Sequence, residues 1–202
     1  TAWTRQETQG SFRSIAIADD VTYVMIERDG GWFLEKFDES FDADATLSGT
    51  SETSSTTWSG LDHLEGETLT VLADGAVHAD WVDGGGAIEL VSDASNIVAG
   101  LSYAHRIEPL PPSVQGSGGG SQGSRLRPIS FTYRLQDSPA LRLNVGRGFT
   151  EVPFKKLGLE ILDASPQSFT GDRTVRAFGW RANSTDSLWQ IEHDAPLPFT
   201  LL

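Results

Sequence analysis

The four histidines are the residues whose chemistry depends most clearly on spacing: His63, His78, His105 and His193. Imidazole is a common zinc ligand, and helical zinc sites place two histidines four residues apart, as in the HExxH motif. No two of these histidines have that spacing. A zinc site assembled from distant strands stays an alternative, and histidines satisfied in loops or at the surface are the favoured interpretation.

Closely spaced carboxylates suggest a second kind of chemistry. Glu65 and Glu67 flank Gly66, and two carboxylates can act as acid and nucleophile in a glycosidase. Their position around a glycine favours a simpler role in capping or solvating a turn. The acidic segment 38–44 has oxygen ligands for calcium but lacks the Asp-x-Asp-x-Asp-Gly order and the later Glu of an EF-hand loop. A solvated loop is therefore favoured there.

Two glycine-rich segments resemble motifs that hold phosphate or a nucleophile. Residues 83–86, Asp-Gly-Gly-Gly, resemble a phosphate cradle, but no helix is predicted after them to bind an anion at its N-terminus. Residues 119–123 match Gly-x-Ser-x-Gly, but a nucleophile elbow needs a strand before the serine and a helix after it. The chain has no cysteine, which removes thiolate chemistry and disulfides. We therefore predict no enzyme activity, no catalytic, cofactor-binding or metal-ligating residue, and no cofactor.

Aromatic residues are the remaining candidates for binding. The tryptophans are Trp3, Trp32, Trp58, Trp81, Trp180 and Trp189. Tryptophan on strands usually belongs to a core or an interface, although an exposed set would also suit a sugar-binding platform. Arg125, Arg127 and Arg134 mix with Phe131 and Tyr133, which is a weak indication of nucleic-acid binding. Alternation along a strand explains that mixture without a ligand.

Apolar residues alternate with a period of two along most of the chain, and no long amphipathic helix is indicated. Residues 14–18 and 21–26 are predicted strands joined at Asp19-Asp20, and residues 32–37 follow the turn at 29–31 as a third. Further strands are predicted at 68–72, 77–82, 87–91, 97–103, 129–135, 141–145, 174–180, 188–192 and within 196–202. The predicted fold class is all-β, with many short antiparallel strands, a propeller-blade-like N-terminal meander and a β-barrel or sandwich module.

Composition divides the chain into four segments. Residues 1–57 are predicted to form the meander or blade-like segment, in which 38–57 is a loop or a pair of edge strands. Residues 58–112 form a hairpin-rich, barrel-like module that ends in a proline cluster. Residues 113–124 are a Gly/Ser-rich loop or linker, and residues 125–202 are a second antiparallel β region that packs on the first.

Charge is distributed unevenly along the chain. Residues 1–111 have a net charge of −15 and residues 112–202 a net charge of +2, which gives −13 overall. Affinity for nucleic acid by counterion release needs Lys and Arg on phosphates, so an acidic half repels DNA. An acidic surface that aids solubility is the favoured interpretation. No run of eighteen apolar residues occurs, and no membrane anchor is expected.

One stretch is specific enough to indicate a family. Residues 58–75, WSGLDHLEGETLTVLADG, resemble a segment of the tail nozzle proteins of short-tailed bacteriophages, also called tail tubular protein B. Weaker similarities follow in the same order along the chain. They cover residues 2–5, 8–10, 14–17, 23–28, 82–90, 97–103, 107–111, 122–129, 169–172 and 195–202. The Gly/Ser-rich loop and the polar 38–57 region depart from the family pattern.

The resemblance implies a structural protein of the virion tail. Family members are several times longer, so the chain is expected to be a C-terminal portion of such a protein. Nozzle proteins form a hexameric ring at the distal end of the tail, attach to an adaptor ring, support fibres or spikes, and enclose the channel through which DNA leaves. DNA would then be a non-specific passing cargo, and the acidic residues 1–111 are expected to face the lumen or its mouth.

A carbohydrate-binding or depolymerase module of a phage tail or a secreted β protein is the alternative. This hypothesis expects an exposed tryptophan beside carboxylates in one groove, because sugars stack on aromatic rings and carboxylates bind or cleave them. It also expects binding to glycans, whereas the nozzle hypothesis expects ring-forming surfaces and no activity.

Overall fold

The computed structural model describes residues 4–111, 115–116, 119–120, 127–152, 154, 167–180 and 187–202. The predicted all-β class is confirmed: the described residues form antiparallel sheets of short strands and one 3-10 turn at Asp62–Leu64. None of the sheets that these residues form closes into a barrel. The described residues contain no helix of sufficient length and apolarity to cross a membrane.

Contacts divide the chain into two compact units, one ending at Tyr103 and the other beginning at Ala104. We call them the acidic unit and the C-terminal unit. The strands of the acidic unit are β1 (Ser11–Ala18), β2 (Val21–Arg28), β3 (Gly31–Lys36), β4 (Asp44–Ser59), β5 (Thr68–Ala73), β6 (Ala76–Trp81) and β7 (Ala87–Leu101). The four predicted segments stay a prediction, and β4 runs through the predicted boundary at 57/58.

Strands β1, β2 and β3 form the predicted three-stranded meander. Two-residue turns join them, because Asp19 and Asp20 both have positive φ, as do Asp29 and Gly30. Such turns match the twist of paired strands, and Asp and Gly adopt positive φ more readily than other residues. Val24, Ile26 and Arg28 follow each other at a spacing of two along β2. Their side chains are buried on one face of the meander.

The second sheet of the acidic unit has the order β4-β7-β5-β6. The polar segment 38–57, predicted to be a loop or a pair of edge strands, contains most of β4, which is an edge strand of this sheet. The prediction of separate strands at 87–91 and 97–103 was wrong, because β7 is one strand of 15 residues. Its polar middle stays in the sheet because Asp74 Oδ2 and Oδ1 accept the amides of Ser95 and Asn96, both at 2.9 Å.

Leucine and other aliphatic side chains of residues 58–75 fill the core of this sheet. Leu61, Leu64, Leu69 and Val71 are at most 2% exposed and pack with the inward side chains of β7. Full burial of such a side chain stabilises a fold by about 1.5–3 kcal/mol. The stretch from 58 to 75 is therefore a structural core segment of the acidic unit.

The described residues of the C-terminal unit form three sheets. Its strands are β8 (His105–Ile107), β9 (Gln115–Gly116), β10 (Gly119–Gly120), β11 (Ser130–Ser138), β12 (Arg142–Asn144), β13 (Phe149–Glu151), β14 (Phe169–Arg176), β15 (Gln190–His193) and β16 (Thr200–Leu201). The sheet orders are β14-β11-β16, β13-β12-β15-β8 and the small pair β10-β9, which lies within the predicted linker. Tyr133, Leu135, Leu143 and Ile191 belong to its core.

Two predicted strands near the C-terminus differ from the structure. The strand predicted at 174–180 is β14, which begins at Phe169 and ends at Arg176, because its pairing with β11 starts at Ser138. The amide of Ala177 still bonds to the carbonyl of Ile129, next to β11, whereas that of Phe178 leaves this pairing for the carbonyl of Val145. Within 196–202 only β16 pairs with β11, since prolines in that segment have no amide to donate.

Gly100 lets β4 approach β7 closely, which gives a direct test of this sheet. A Cβ atom on Gly100 would lie 2.6 Å from the Asp44 carbonyl oxygen and 2.8 Å from Thr46 Oγ1. We expect Gly100→Ala to lower the free energy of unfolding by about 1–3 kcal/mol in urea denaturation. Gly84→Ala is the control, because its Cβ would meet only Glu65 Oε1, at 3.4 Å. Equal losses in the two variants would contradict this packing.

Candidate functional site

The described part of the acidic unit contains a cleft with a volume of about 430 Å³, which we call the meander cleft. It is formed by the inward face of the meander, the segment between β3 and β4, and the start of β4. Its walls combine aliphatic and charged groups with five aromatic side chains: Phe12, Phe33, Phe37, Phe41 and Tyr103. The cleft forms because three strands present apolar side chains on a face that the other sheet covers incompletely.

Arg28 is the best-connected side chain beside the meander cleft. It follows Val24 and Ile26 at a spacing of two along β2, which turns its guanidinium inward, and its side chain is 3% exposed. Arg28 Nη1 donates to Glu35 Oε1 at 2.8 Å, and Nη2 lies 3.6 Å from Asp44 Oδ2. A buried guanidinium needs such partners, because removing its charge from water is costly.

The same guanidinium also holds the N-terminal segment. Arg28 Nε donates to the Gln9 carbonyl at 2.7 Å, and Nη2 donates to Thr8 Oγ1 at 3.0 Å. Thr8 Oγ1 in turn donates to Asp44 Oδ2 at 2.7 Å. The guanidinium carbon lies 5.7 Å from the Phe33 ring centroid. One side chain therefore connects the N-terminal segment, β3 and β4.

The carboxylates of the meander cleft are engaged by neighbouring groups. Besides the two partners of Arg28, Asp38 accepts from Lys36 Nζ at 2.7 Å and from the Ser40 amide at 3.1 Å. Hydrogen bonds from Lys36 and then Ser40 hold the pKa of Asp38 well below its usual value. A general acid at neutral pH needs a raised pKa, so Asp38 does not suit that role. Two carboxylates of this acidic segment, Asp38 and Asp44, thus already have protein partners.

Tyr103 and His63 complete the polar lining. Burial, with the charges of Asp42 and Asp44, raises the pKa of Tyr103, which keeps its hydroxyl protonated at neutral pH. His63 Nε2 lies 3.1 Å from the Ala45 carbonyl oxygen, and its ring centroid is 6.5 Å from that of Phe33. The cleft therefore suits an apolar or aromatic group rather than acid–base chemistry.

The structure separates the other histidines. His78 lies half-buried on β6, whereas His105 and His193 face each other across the β8/β15 pair in the C-terminal unit. Phe199 contacts both rings, with centroid distances of 6.3 and 6.0 Å. Among the residues that the structure describes, no three His, Asp or Glu side chains are grouped to hold a metal ion.

In the turns at 83–86 and 65–67, which were considered as binding or catalytic motifs, carboxylates bond to groups of the protein itself. Asp83 Oδ1 accepts the amides of Gly85 and Ala87 at 2.9 and 3.0 Å, and these bonds lower the pKa of Asp83. The amides of Gly85 and Ala87 are therefore bonded to Asp83 and are not available to a phosphate. Gly66 has a φ of +82°, as expected between Glu65 and Glu67 in a turn, and Glu67 Oε1 accepts from Gln9 Nε2 at 3.1 Å. In the Gly-x-Ser-x-Gly match, residues 121–123 lie outside the described part of the chain.

The tryptophans do not assemble into a platform in the described residues. Trp32 is 62% exposed on the opposite face of the meander from Phe33, while Trp58 donates from Nε1 to the Ser55 carbonyl and packs on the core. Trp189 packs edge-on against Tyr133. Trp3 lies outside the described residues. Exposed Trp180 contacts Arg127 instead of a carboxylate, with the guanidinium carbon 5.8 Å from its ring.

The mixed basic and aromatic strand divides its side chains by face. Phe131 and Tyr133 pack into the core of the C-terminal unit, whereas Arg134 points outward and binds both oxygens of Asp172 at 2.7 and 2.9 Å. Alternation along β11 accounts for this pattern, and Arg125 lies outside the described residues. Sequence analysis missed Arg28, although its place at the end of an apolar, period-two series was the available indication.

Arg28 provides a test of what holds the meander cleft together. We expect Arg28→Ala to lower the free energy of unfolding by about 3 kcal/mol, because it leaves Glu35 and Asp44 without their shared cation. Arg13→Ala is the matched control in the same sheet, since the Arg13–Glu27 pair is half exposed and should contribute less than about 1 kcal/mol. Urea denaturation measures the free energy of unfolding of both variants. A loss for Arg28→Ala no larger than that for Arg13→Ala would contradict the stabilising role of Arg28.

Carboxylates with lowered pKa values predict sensitivity to acid. Backbone amides lower the pKa values of Asp74 and Asp83, as Lys36 does for Asp38. Their stabilisation is present above the unfolded-state pKa and is lost as the pH falls through the folded-state value. We expect the urea concentration at the midpoint of unfolding to decrease once the pH is lowered below about 4. The double variant Asp74→Asn and Asp83→Asn should show a flatter profile; an unchanged slope would show that these carboxylates are not responsible.

Comparison with known proteins adds no relative. No protein-family model matches the chain, and no curated protein matches it. The resemblance of residues 58–75 to tail nozzle proteins therefore stays a prediction. The chemistry of the site rests on the chain's own residues: a small aromatic cleft, carboxylates engaged by cations and amides, and a guanidinium that clamps three segments.

Proposed function

We propose that the chain is a structural component of the tail of a short-tailed bacteriophage, a portion of the nozzle. In this role it forms part of the DNA-exit channel and of the platform on which fibres or spikes attach. The full-length protein would be a hexameric ring in the virion tail, in contact with the adaptor ring. Double-stranded DNA would pass as cargo without specific binding.

The observation that carries this proposal is the charge of the acidic unit. Residues 37–105 contain thirteen Asp and Glu residues and no Lys or Arg. Exposed members include Glu52, Glu65 and Glu89, which lie on or beside the β4-β7-β5-β6 sheet. A wall of this kind offers no cation to phosphates, so DNA gains nothing from counterion release and is repelled. That property suits a channel through which DNA must slide.

The use of carboxylates within the acidic unit supports a structural role as well. Asp74 fixes the β5–β6 turn to β7, Asp83 closes its own turn, and Asp44 joins Thr8 to the Arg28 clamp. Each of these side chains stabilises the sheets instead of pointing free into the meander cleft. Carboxylates of a depolymerase site would instead face each other across a substrate groove.

Mutant virions provide the functional test. We expect the pair Glu65→Lys and Glu89→Lys to allow particle assembly but to slow DNA ejection, most strongly at low ionic strength, because each lysine adds a phosphate contact. The pair Glu108→Lys and Glu151→Lys makes the same charge change on exposed sites of the C-terminal unit and is the control. Ejection from purified virions is followed by the fluorescence of a DNA-binding dye.

Two results would contradict the proposal. One is the absence of peptides of this chain from purified virions in mass spectrometry. The other is an equal ejection rate for the wild type and the Glu65→Lys and Glu89→Lys pair. Binding of the chain to surface glycans, with clearing of the host's polysaccharide, would support the carbohydrate-binding alternative instead.

A further inference from the structure

The C-terminal unit has an exposed surface of unusual composition that the proposed function does not use. We call it the Arg–aromatic surface, and its members are Arg127, Ile129, Arg147, Arg176, Phe178 and Trp180. Ile129 is 80% exposed and Trp180 is 64% exposed. The described stretches that contribute to it, 127–130, 144–149 and 175–180, include three arginines and no Asp or Glu.

Backbone hydrogen bonds bring these stretches together. The amide of Ala177 donates to the Ile129 carbonyl at 2.9 Å, and that of Phe178 donates to the Val145 carbonyl at 3.0 Å. Asn144 Oδ1 accepts from the amides of Gly146 and Gly148, at 3.0 and 3.1 Å, and so fixes the turn that carries Arg147. The surface is therefore built on ordered backbone, which reduces the entropy cost of binding.

Two of the three arginines of this surface contact aromatic rings, and none of the three has an ion pair with a described carboxylate. The guanidinium carbon of Arg147 lies 3.8 Å from the Phe178 ring centroid, in addition to the contact between Arg127 and Trp180. Stacking holds a guanidinium flat while its N–H groups stay available at the edge. No described carboxylate forms an ion pair with Arg127, Arg147 or Arg176, unlike Arg134 with Asp172.

The composition selects the class of partner. Arginine and tryptophan dominate the energetics of protein–protein interfaces, and an exposed isoleucine beside them suits a protein surface better than a sugar or a base. The guanidinium N–H groups, which pair with no described carboxylate, fit the carboxylates of a partner, since arginine binds carboxylates in bidentate pairs. A long polyanion such as nucleic acid is disfavoured, because the chain as a whole carries −13. The fitting partner is an acidic protein surface.

We propose that the Arg–aromatic surface of one copy of this chain binds the acidic unit of a second copy. Charge complementarity carries the assignment, since residues 37–105 offer thirteen carboxylates without a competing cation. The contact joins two different surfaces, so it is heterologous and continues from copy to copy until a ring closes or a filament forms. It holds for this chain whether or not the chain comes from a phage tail.

Sedimentation velocity of the full chain tests the contact. At low ionic strength the sedimentation coefficient should rise with protein concentration, and at high ionic strength it should return to that of a monomer. The double variant Arg147→Glu and Arg176→Glu should self-associate at least about tenfold more weakly. Trp180→Ser, which leaves the charge unchanged, should weaken association too. Unfolding in urea verifies that both variants are folded.

Mixing the proteins tests the head-to-tail geometry. The double variant keeps its acidic unit, so it should occupy the Arg–aromatic surface of a wild-type copy and then stop further growth. An equimolar mixture should therefore contain smaller assemblies than the wild type alone at the same wild-type concentration. Arg134→Gln is the control, because its arginine lies in the same unit but is already paired with Asp172.

Three outcomes would overturn the inference. They are a wild type that stays monomeric at low ionic strength, a double variant that associates as the wild type does, and a surface that binds an oligothymidylate probe without self-association. Absence of the chain from virions would refute the proposed function and leave this result unchanged, so the two failures are distinguishable.

Discussion

The burial of one guanidinium is the constraint on which the acidic unit depends. Arg28 lies where an apolar residue would continue the inward series of β2, and its charge must be compensated without water. Partners come from three places in the chain: the N-terminal segment, Glu35 on β3 and Asp44 at the start of β4. Satisfying that charge therefore fixes the meander against the segment that leads into the second sheet, and the aromatic cleft forms beside it.

Carboxylates stabilise this unit wherever two elements meet. Asp74 binds amides in the middle of β7 and so keeps a polar stretch within a 15-residue strand. Asp83 binds two amides of its own turn, so a segment resembling a phosphate cradle directs those donors to its own carboxylate. An acidic chain can thus use some of its exposed carboxylates as hydrogen-bond acceptors that hold backbone segments together.

The two units differ in the sign of the charged side chains that lack an oppositely charged partner among the described residues. The acidic unit has an excess of exposed carboxylates, and the C-terminal unit has arginines beside aromatic rings without a carboxylate partner among the described residues. The proposed DNA channel rests on the first property and the proposed contact between copies rests on both.

The sequence by itself determined the all-β class, the meander and its turns, because turn chemistry at Asp19-Asp20 and Asp29-Gly30 and period-two alternation are local properties. It also indicated that Glu65 and Glu67 flank a turn. Only the tertiary structure decided that β7 is continuous, that Arg28 is buried, and that Arg147 stacks on Phe178. Those outcomes depend on partners far away in the chain, such as Asp74 for β7 and Asp44 for Arg28. Side-chain pattern alone carries no information about which distant groups will meet.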